Sequence, residues 1–451
     1  MALLTLAQNL PRPRLHGARR EFSALFAALF LCLIPAAASA QTENPPPSTS
    51  KVHSVKFTGS NRFPQDLLAR TIGMAPGTVV GRTEIAAAAN RLAKMGWFSE
   101  VNYKFDSSTK GVEITFLLRD APAHPVLFDN FPWFKDAEIA DAIRSTGMPY
   151  DGMAPESGTG LDSMREAIAA LLKSKNIPGE VDGELIQAPQ EDGMVERFKL
   201  IGANIKVTSL SYSDALAQND LRLKEVEDQI VGKPYSRYTL AIFEVEQVQP
   251  AYTSKGYLHV RCGEPIVKFV GQPGKPLSGE ISLQVSVEPG TQYHWGGAVW
   301  SGQTVLNSAA LDGLLGFAAG DPVDALKLQA GWDAITHEYA KRGYLEAKLD
   351  PKPALNDADG KATYTVTIAE GIQYRMGQLV IAGLSLTAER QLLANWKLAR
   401  GDVFDDSYFE DFANGGALKL FKNTPVHFDR VEHLLKPNPD TKTVDVYLNF
   451  R

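Results

Sequence analysis

The sequence predicts an α+β chain of about five tandem modules, each running β-α-α-β-β, a three-stranded mixed sheet packed on two helices. Three observations carry this. First, a helix-ending motif recurs: "LAKMGWFSEVNY" (92–103), "YTSKGYLHVRCG" (252–263) and "YAKRGYLEAKLD" (339–350). Second, a Gly-Pro-type loop recurs ahead of that helix. Third, strands of strict apolar alternation recur behind it. Self-similarity of this kind marks a repeat architecture.

Each element has its own signal. An opening strand ends in glycine at Phe57-Thr58-Gly59, Trp300-Ser301-Gly302 and Ile381-Ala382-Gly383. The first helix is closed and the second opened by "GMAPG" (73–77), "GMPYD" (147–151), "GKPYS" (232–236), "GDPVD" (320–324) and "GDVFD" (401–405). Glycine suits a helix C-terminus, and Pro or Asp suits the next N-terminus. Asp321-Pro322 is expected to be an N-cap followed by proline at the first helical position. The second helix carries apolar stripes at steps of three and four: Ile85, Ala88, Leu92; Val245, Val248, Tyr252; Trp332, Ile335, Tyr339. Closing strands alternate at Val112, Ile114, Phe116, Leu118; at Ile281, Leu283, Val285, Val287; at Tyr364, Val366, Ile368; and at Val444, Val446, Leu448, Phe450. Period two gives one buried face and one wet face.

The expected modules are 51–122, 123–203, 204–290, 291–371 and 372–451. Module 2 is divergent, with a Gly-rich loop from Gly152 to Gly160 and a weak final strand. Module 5 has Gly415-Gly416 inside its second helix and Asn423 where the other repeats have glycine. Ala121-Pro122, Pro289-Gly290 and Glu370-Gly371 are candidate hinges between modules.

The N-terminus has the composition of a secretory signal peptide (1–40). Four arginines precede the apolar run "FSALFAALFLCLI" (22–34), and Ala38-Ser39-Ala40 supplies an A-x-A site. A Pro-rich tether, "QTENPPPSTS" (41–50), follows. Cleavage after Ala40 removes four arginines and one glutamate, which takes the formal charge from −6 to about −9. An acidic exported chain is a poor partner for nucleic acid. Cys262 would then be the only cysteine, so stability must come from packed cores rather than an internal disulfide. No later stretch is apolar for long enough to span a membrane as a helix.

Catalytic signatures are missing from the sequence. The eight histidines form no H-E-x-x-H pair, there is no G-x-S-x-G nucleophile, and there is no P-loop. Asp405 and Asp406, in "DVFDDSYFEDF" (402–412), read as helix-capping charges. The expectation is therefore no enzyme activity, no cofactor and no metal.

The order of motifs resembles polypeptide-transport-associated (POTRA) domains. The resemblance rests on "VKFTGSNRF" (55–63), "GMAPGTVV" (73–80), "RLAKMGWFSEV" (91–101) and "GVEITFLLRD" (111–120), with "YTSKGYLHV" and "YAKRGYLEA" repeating the most diagnostic part. Such arrays are similar to the periplasmic half of the outer-membrane protein assembly factor family (BamA-like and TamA-like, bacterial surface antigen type). In that family a β-barrel follows the last module. Here "KTVDVYLNFR" runs to Arg451 as the fifth module's closing strand, so the expectation is an array without its own barrel.

The resemblance implies a periplasmic scaffold or chaperone-like protein, associated with the outer membrane. Its partners would be unfolded outer-membrane proteins or a separately encoded barrel. Strand addition at exposed sheet edges supplies affinity through the backbone without demanding one client sequence. The family's edge strand follows the second helix. Its expected positions here are Val101, Tyr103 and Phe105 in module 1, Leu258 and Val260 in module 3, and Leu345 and Ala347 in module 4. The alternative is a structural periplasmic spacer, in which these residues only close each sheet.

Overall fold

The computed structural model describes residues 49–189, 193–275, 277–422 and 424–451. The expected signal peptide, tether residues 41–48 and Asn423 lie outside the described residues.

Among the described residues, five separate sheets follow one another along the chain. The first contains β1 (Ser50–Thr58), β2 (Val79–Val80), β3 (Phe98–Ser108) and β4 (Gly111–Asp120), in the order β2-β1-β4-β3. The second contains β5 (Ala123–Phe128), β6 (Met153–Pro155), β7 (Val181–Gln187) and β8 (Met194–Leu200), in the order β6-β5-β8-β7. The third has β9 (Asn204–Tyr212), β10 (Arg261–Lys275) and β11 (Ser278–Glu288), in the order β10-β11-β9. The fourth has β12 (His294–Ser301), β13 (Lys348–Asn356) and β14 (Lys361–Ala369), in the order β12-β14-β13. The fifth has β15 (Arg375–Ala382), β16 (Val431–Asn438) and β17 (Thr443–Phe450), in the order β15-β17-β16.

The topology is the same throughout. The last strand of each module is central. It pairs parallel with the opening strand and antiparallel with the strand that follows the second helix. The short β2 and β6 come from the loop between the two helices. In the other three modules that loop makes a single bridge, Lys206 to Pro234, His294 to Pro322 and Arg375 to Val403.

Each module has its own apolar core. In module 1 the alternating residues Val112, Ile114, Phe116 and Leu118 are buried beneath Ile85, Ala88 and Leu92 of the helix Arg82–Lys94. Burying each large side chain contributes roughly 1.5–3 kcal/mol, so one sheet face and one helix stripe suffice to hold a small module. The opening-strand glycines are demanded by the same packing. Gly59, Gly302 and Gly383 have φ between +82° and +88°, and a Cβ there would collide with the carbonyls of Leu118, Ile368 and Phe450.

Three sequence expectations need correction, and the Gly415-Gly416 irregularity of module 5 is seen as a kink. The N-cap of the helix Ala325–Ala340 is Asp324, whose carboxylate accepts from the backbone N–H groups of Leu326 and Lys327. Asp321 instead accepts from Ala318 N–H, and Pro322 is spent on the bridge to His294. The weak final strand of module 2 is the well-formed central strand β8. Its alternation is obscured because Glu196 occupies a core-facing position and is only 5% exposed. In module 3 the stripe residue Val245 is only half-buried, because a π-turn at Glu244–Val248 inserts an extra residue per turn and turns Glu244 inward instead. In module 5 the second helix is interrupted at Phe412–Gly416 into Asp406–Asp411 and Ala417–Phe421.

Candidate functional site

The strand after the second helix lies at a sheet edge in all five modules: β3, β7, β10, β13 and β16. What each edge can do depends on which backbone groups point outward.

Module 1 shows the geometry. The Leu118 carbonyl of β4 points toward β1, where it meets Gly59, and the Phe116 carbonyl accepts Thr58 Oγ1 at 3.3 Å, also on the β1 side. In an antiparallel pair, a residue opposite one that turns away also turns away. Val101 pairs with Leu118, Tyr103 with Phe116 and Phe105 with Ile114. The N–H and C=O groups of Val101, Tyr103 and Phe105 therefore point to the open side of β3. Their side chains are half-buried and pack on the module 1 core, with the Tyr103 and Phe105 rings 6.5 Å apart. A strand added beside β3 would extend the sheet and lay its own apolar side chains next to these two rings. Glu100, Asn102, Lys104 and Asp106 point to the other, wet face.

In modules 3 and 4 the expected site residues are elsewhere. Leu258 and Val260 lie in the turn before β10, where Leu258 N–H bonds to Gly256 O and Val260 N–H to Tyr257 O. Leu345 and Ala347 lie in the matching turn before β13, where Ala347 N–H bonds to Tyr344 O. Val260 and Ala347 are buried in their own modules' cores. Leu258 packs on the core of module 4, and Leu345 on the core of module 5. These four residues build joints, not edges. In module 1 the strand begins two residues after Gly96, whereas in modules 3 and 4 an extra turn intervenes.

That turn explains the repeated motif. Gly256 and Gly343 have φ of +89° and +80°, and a Cβ on either would sit 2.5 Å from the carbonyl oxygen of Tyr293 or Tyr374, the residue that opens the next module. Tyr293 N–H donates to Gly256 O at 2.8 Å and Tyr374 N–H to Gly343 O at 2.7 Å. Gln292 Nε2 donates to Lys255 O, and Gln373 Nε2 to Arg342 O. The tyrosine four residues before each glycine is anchored too: Tyr252 donates to Asp214 at 2.6 Å and Tyr339 to Glu370 at 2.9 Å. Burial works to raise the Glu370 pKa, but hydrogen bonds from Thr304, Val305 and Tyr339 outweigh it and hold the carboxyl below its ordinary range.

The true edge of module 4 is different from that of module 1. Ile368 O meets Gly302, and Val366 O accepts Ser301 Oγ at 3.3 Å, so the β14 residues opposite Leu349, Pro351 and Pro353 turn away from β13. The outward positions of β13 therefore include two prolines, at the sites equivalent to Tyr103 and Phe105. Proline has no N–H, and a run that alternates prolines on its outer side cannot be continued by a regular ladder. In module 5 the outward positions are Val431, His433, Leu435 and, near the strand end, Pro437. In module 3, Trp133 of module 2 stacks on Phe269 of β10 at 6.0 Å.

The two charges that the sequence placed in "DVFDDSYFEDF" are helix-terminal. Asp405 caps Asp406–Asp411 by accepting from Ser407 and Tyr408 N–H. Among the described residues no three His, Cys, Asp or Glu side chains are grouped to hold a metal ion, and no helix is long and apolar enough to cross a membrane.

The POTRA family model, described as a surface antigen variable number repeat, matches residues 50–120 and 293–371, which are modules 1 and 4. A putative outer membrane protein assembly factor from Treponema pallidum is 23% identical over 202 residues, spanning 45% of this chain and 23% of that protein. This match therefore covers less than a quarter of the relative's length. Among solved structures, POTRA domains 3–5 of BamA from Haemophilus influenzae align with 18% identity over 55% of this chain and 96% of that one, at a TM-score of 0.39. The N-terminal domain of Omp85 from Thermosynechococcus elongatus aligns with 13% identity over 90% of this chain and 98% of that one, at a TM-score of 0.18.

Proposed function

We propose that this chain, whose modules 1 and 4 match the POTRA family model, acts in outer-membrane protein assembly, as a periplasmic scaffold that captures extended client segments along β3. The observation that carries this is the outer side of β3. Val101, Tyr103 and Phe105 offer a proline-free row of outward N–H and C=O groups beside two half-buried aromatic rings. Backbone pairing there accepts any extended segment, and the aromatic surface favours segments with alternating apolar residues, as membrane β-strands have. The assembly-factor relative supports the setting, and the signal-like N-terminus supports export to the periplasm. The clients are unfolded outer-membrane proteins or a strand of a separate barrel partner.

The test is binding of a fluorescent peptide of alternating apolar and polar residues, ending in an aromatic. Tyr103→Pro removes one outward N–H while leaving the β3–β4 ladder intact. It is expected to weaken binding about tenfold or more, whereas Tyr103→Val, which keeps the N–H, loses only the ring contact. Equal binding by wild type and Tyr103→Pro would leave the spacer reading in possession of the field.

A further inference from the structure

At the junction of modules 2 and 3 lies an open cavity of about 410 Å³, within the range of small-ligand sites. One wall is apolar, from Leu127 and Val195 of module 2 and Leu240 of module 3. The junction itself is firmly made. Asp129 accepts from Ser236 Oγ at 2.8 Å and Tyr238 N–H at 2.9 Å, joining module 2 to the helix Arg237–Phe243. The cavity is thus held open by a built interface.

Its polar lining is unbalanced. Arg237 is paired with Asp136 and lies 4.0 Å from Glu264, whose Oε1 also accepts Asp136 N–H at 2.9 Å. Glu244 is only 5% exposed, and its shielded Oε1 has no hydrogen-bond partner among the described residues. It stands at the start of the π-turn Glu244–Val248 and is one of the residues that line the cavity. Burial pushes its carboxyl up to about 7, with Arg237 opposing. A buried carboxyl without a partner is destabilising, so the site asks for a donor from outside. Three carboxylates, Asp136, Glu244 and Glu264, face one guanidinium, so the donor should be cationic.

We propose that this cavity binds a primary ammonium on an apolar stem, the stem along the Leu127–Val195–Leu240 wall and the ammonium against the cavity side of the Glu244 carboxylate. An ammonium is a compact point charge that one carboxylate can meet from any direction, whereas a guanidinium is a rigid planar fork that asks for bidentate pairing. The chemistry is that of a lysine side chain in an extended segment or of a free alkylamine. The site goes beyond the strand-addition reading and is independent of it, since β3 is in module 1.

The experiment is calorimetric titration of the full chain with n-hexylammonium and with 1-hexanol, at pH 6 and pH 8. Saturable binding of the amine, at least tenfold weaker in Glu244→Gln and undetectable for 1-hexanol, is expected. The amine stays charged at both pH values. The other titratable groups facing Glu244 are the Arg237-paired Asp136 and Glu264, and the Cys262 thiol, pushed up to about 12 by burial and by Glu244. Binding should therefore be several-fold tighter at pH 8, with proton release at intermediate pH, and Glu244→Gln should abolish this dependence. If that variant does not fold, proton release by wild type, read in two buffers of different ionisation enthalpy, decides. A capped pentapeptide with central lysine, compared with its norleucine analogue, separates the sources. Binding of the peptide alone assigns a polypeptide lysine, and binding of the amine alone a small amine. Binding of neither, or equal binding by wild type and Glu244→Gln, overturns the proposal.

Discussion

Modules 1 and 4 match the same family model, share one topology and place the same strand at the edge, yet the two edges differ in kind. Across the ladder from Phe116, module 1 has Tyr103; across from the equivalent Val366, module 4 has Pro351. Two residues on, Phe105 faces Pro353 in the same comparison. One edge keeps its outward donors and the other has lost two of them. Fold and edge competence are thus separable. The core-facing residues set the module, and a pair of outward positions sets whether its edge offers a continuous row of backbone donors. Module 4 is also tied at both ends by the glycine–tyrosine joints, and Tyr339 and Glu370 belong to that framework. The proposed strand capture therefore falls to the first module, while the fourth is tied into the joints on either side of it.

Four experiments break or sharpen this contrast. The largest effect is expected at a joint. Gly343→Ala forces a Cβ against Tyr374 O at a positive φ and should destabilise modules 4 and 5 by about 2–4 kcal/mol, read by denaturant unfolding. A change below about 0.5 kcal/mol would mean the joint is looser than its hydrogen bonds imply. Next, Tyr103→Pro should weaken peptide capture about tenfold or more, as set out above. The converse change, Pro351→Val with Pro353→Val, restores two outward N–H groups to β13. It should give module 4 measurable peptide binding or concentration-dependent self-association, by analytical ultracentrifugation; a variant that remains inert would show that donors alone do not make an edge. The smallest effect is a pH dependence. Glu370 is held below its ordinary pKa in the folded chain, so its stabilising contribution is full above about pH 4.5 and is lost as pH falls through the lowered value. Glu370→Gln should flatten acid unfolding of module 4. Module 1 has Leu92 where module 4 has Tyr339, so its acid limb has no counterpart to this network.

Much of the architecture could be read directly from residue order. Period-two runs such as Val444-x-Val446-x-Leu448-x-Phe450 can bury only one face, and steps of three and four in the second helix can cover only that face. The same physics made Gly59, Gly302 and Gly383 visible as strand-end marks before their carbonyl neighbours were known. Glu196 and Glu244 show where pattern reading fails. A carboxylate at a core position looks like a break in the alternation, and a π-turn moves a helix face by one residue without any mark in the sequence.

Val101, Tyr103 and Phe105 fall on an edge strand as their sequence positions predict, whereas the expected positions in modules 3 and 4 fall in turns, for a reason of chain length. After Gly96 the chain enters β3 at once, while after Gly256 and Gly343 it first spends a turn docking Leu258 or Leu345 into the neighbouring module. Local sequence determined the module type, its number of repeats and its core faces, because side-chain period and turn chemistry act over a few residues. Tertiary structure decided which backbone groups face outward, why the glycine–tyrosine–leucine motif recurs and where an unpaired carboxylate meets a cavity. Those properties depend on ladder register and on surfaces that meet only when distant segments pack.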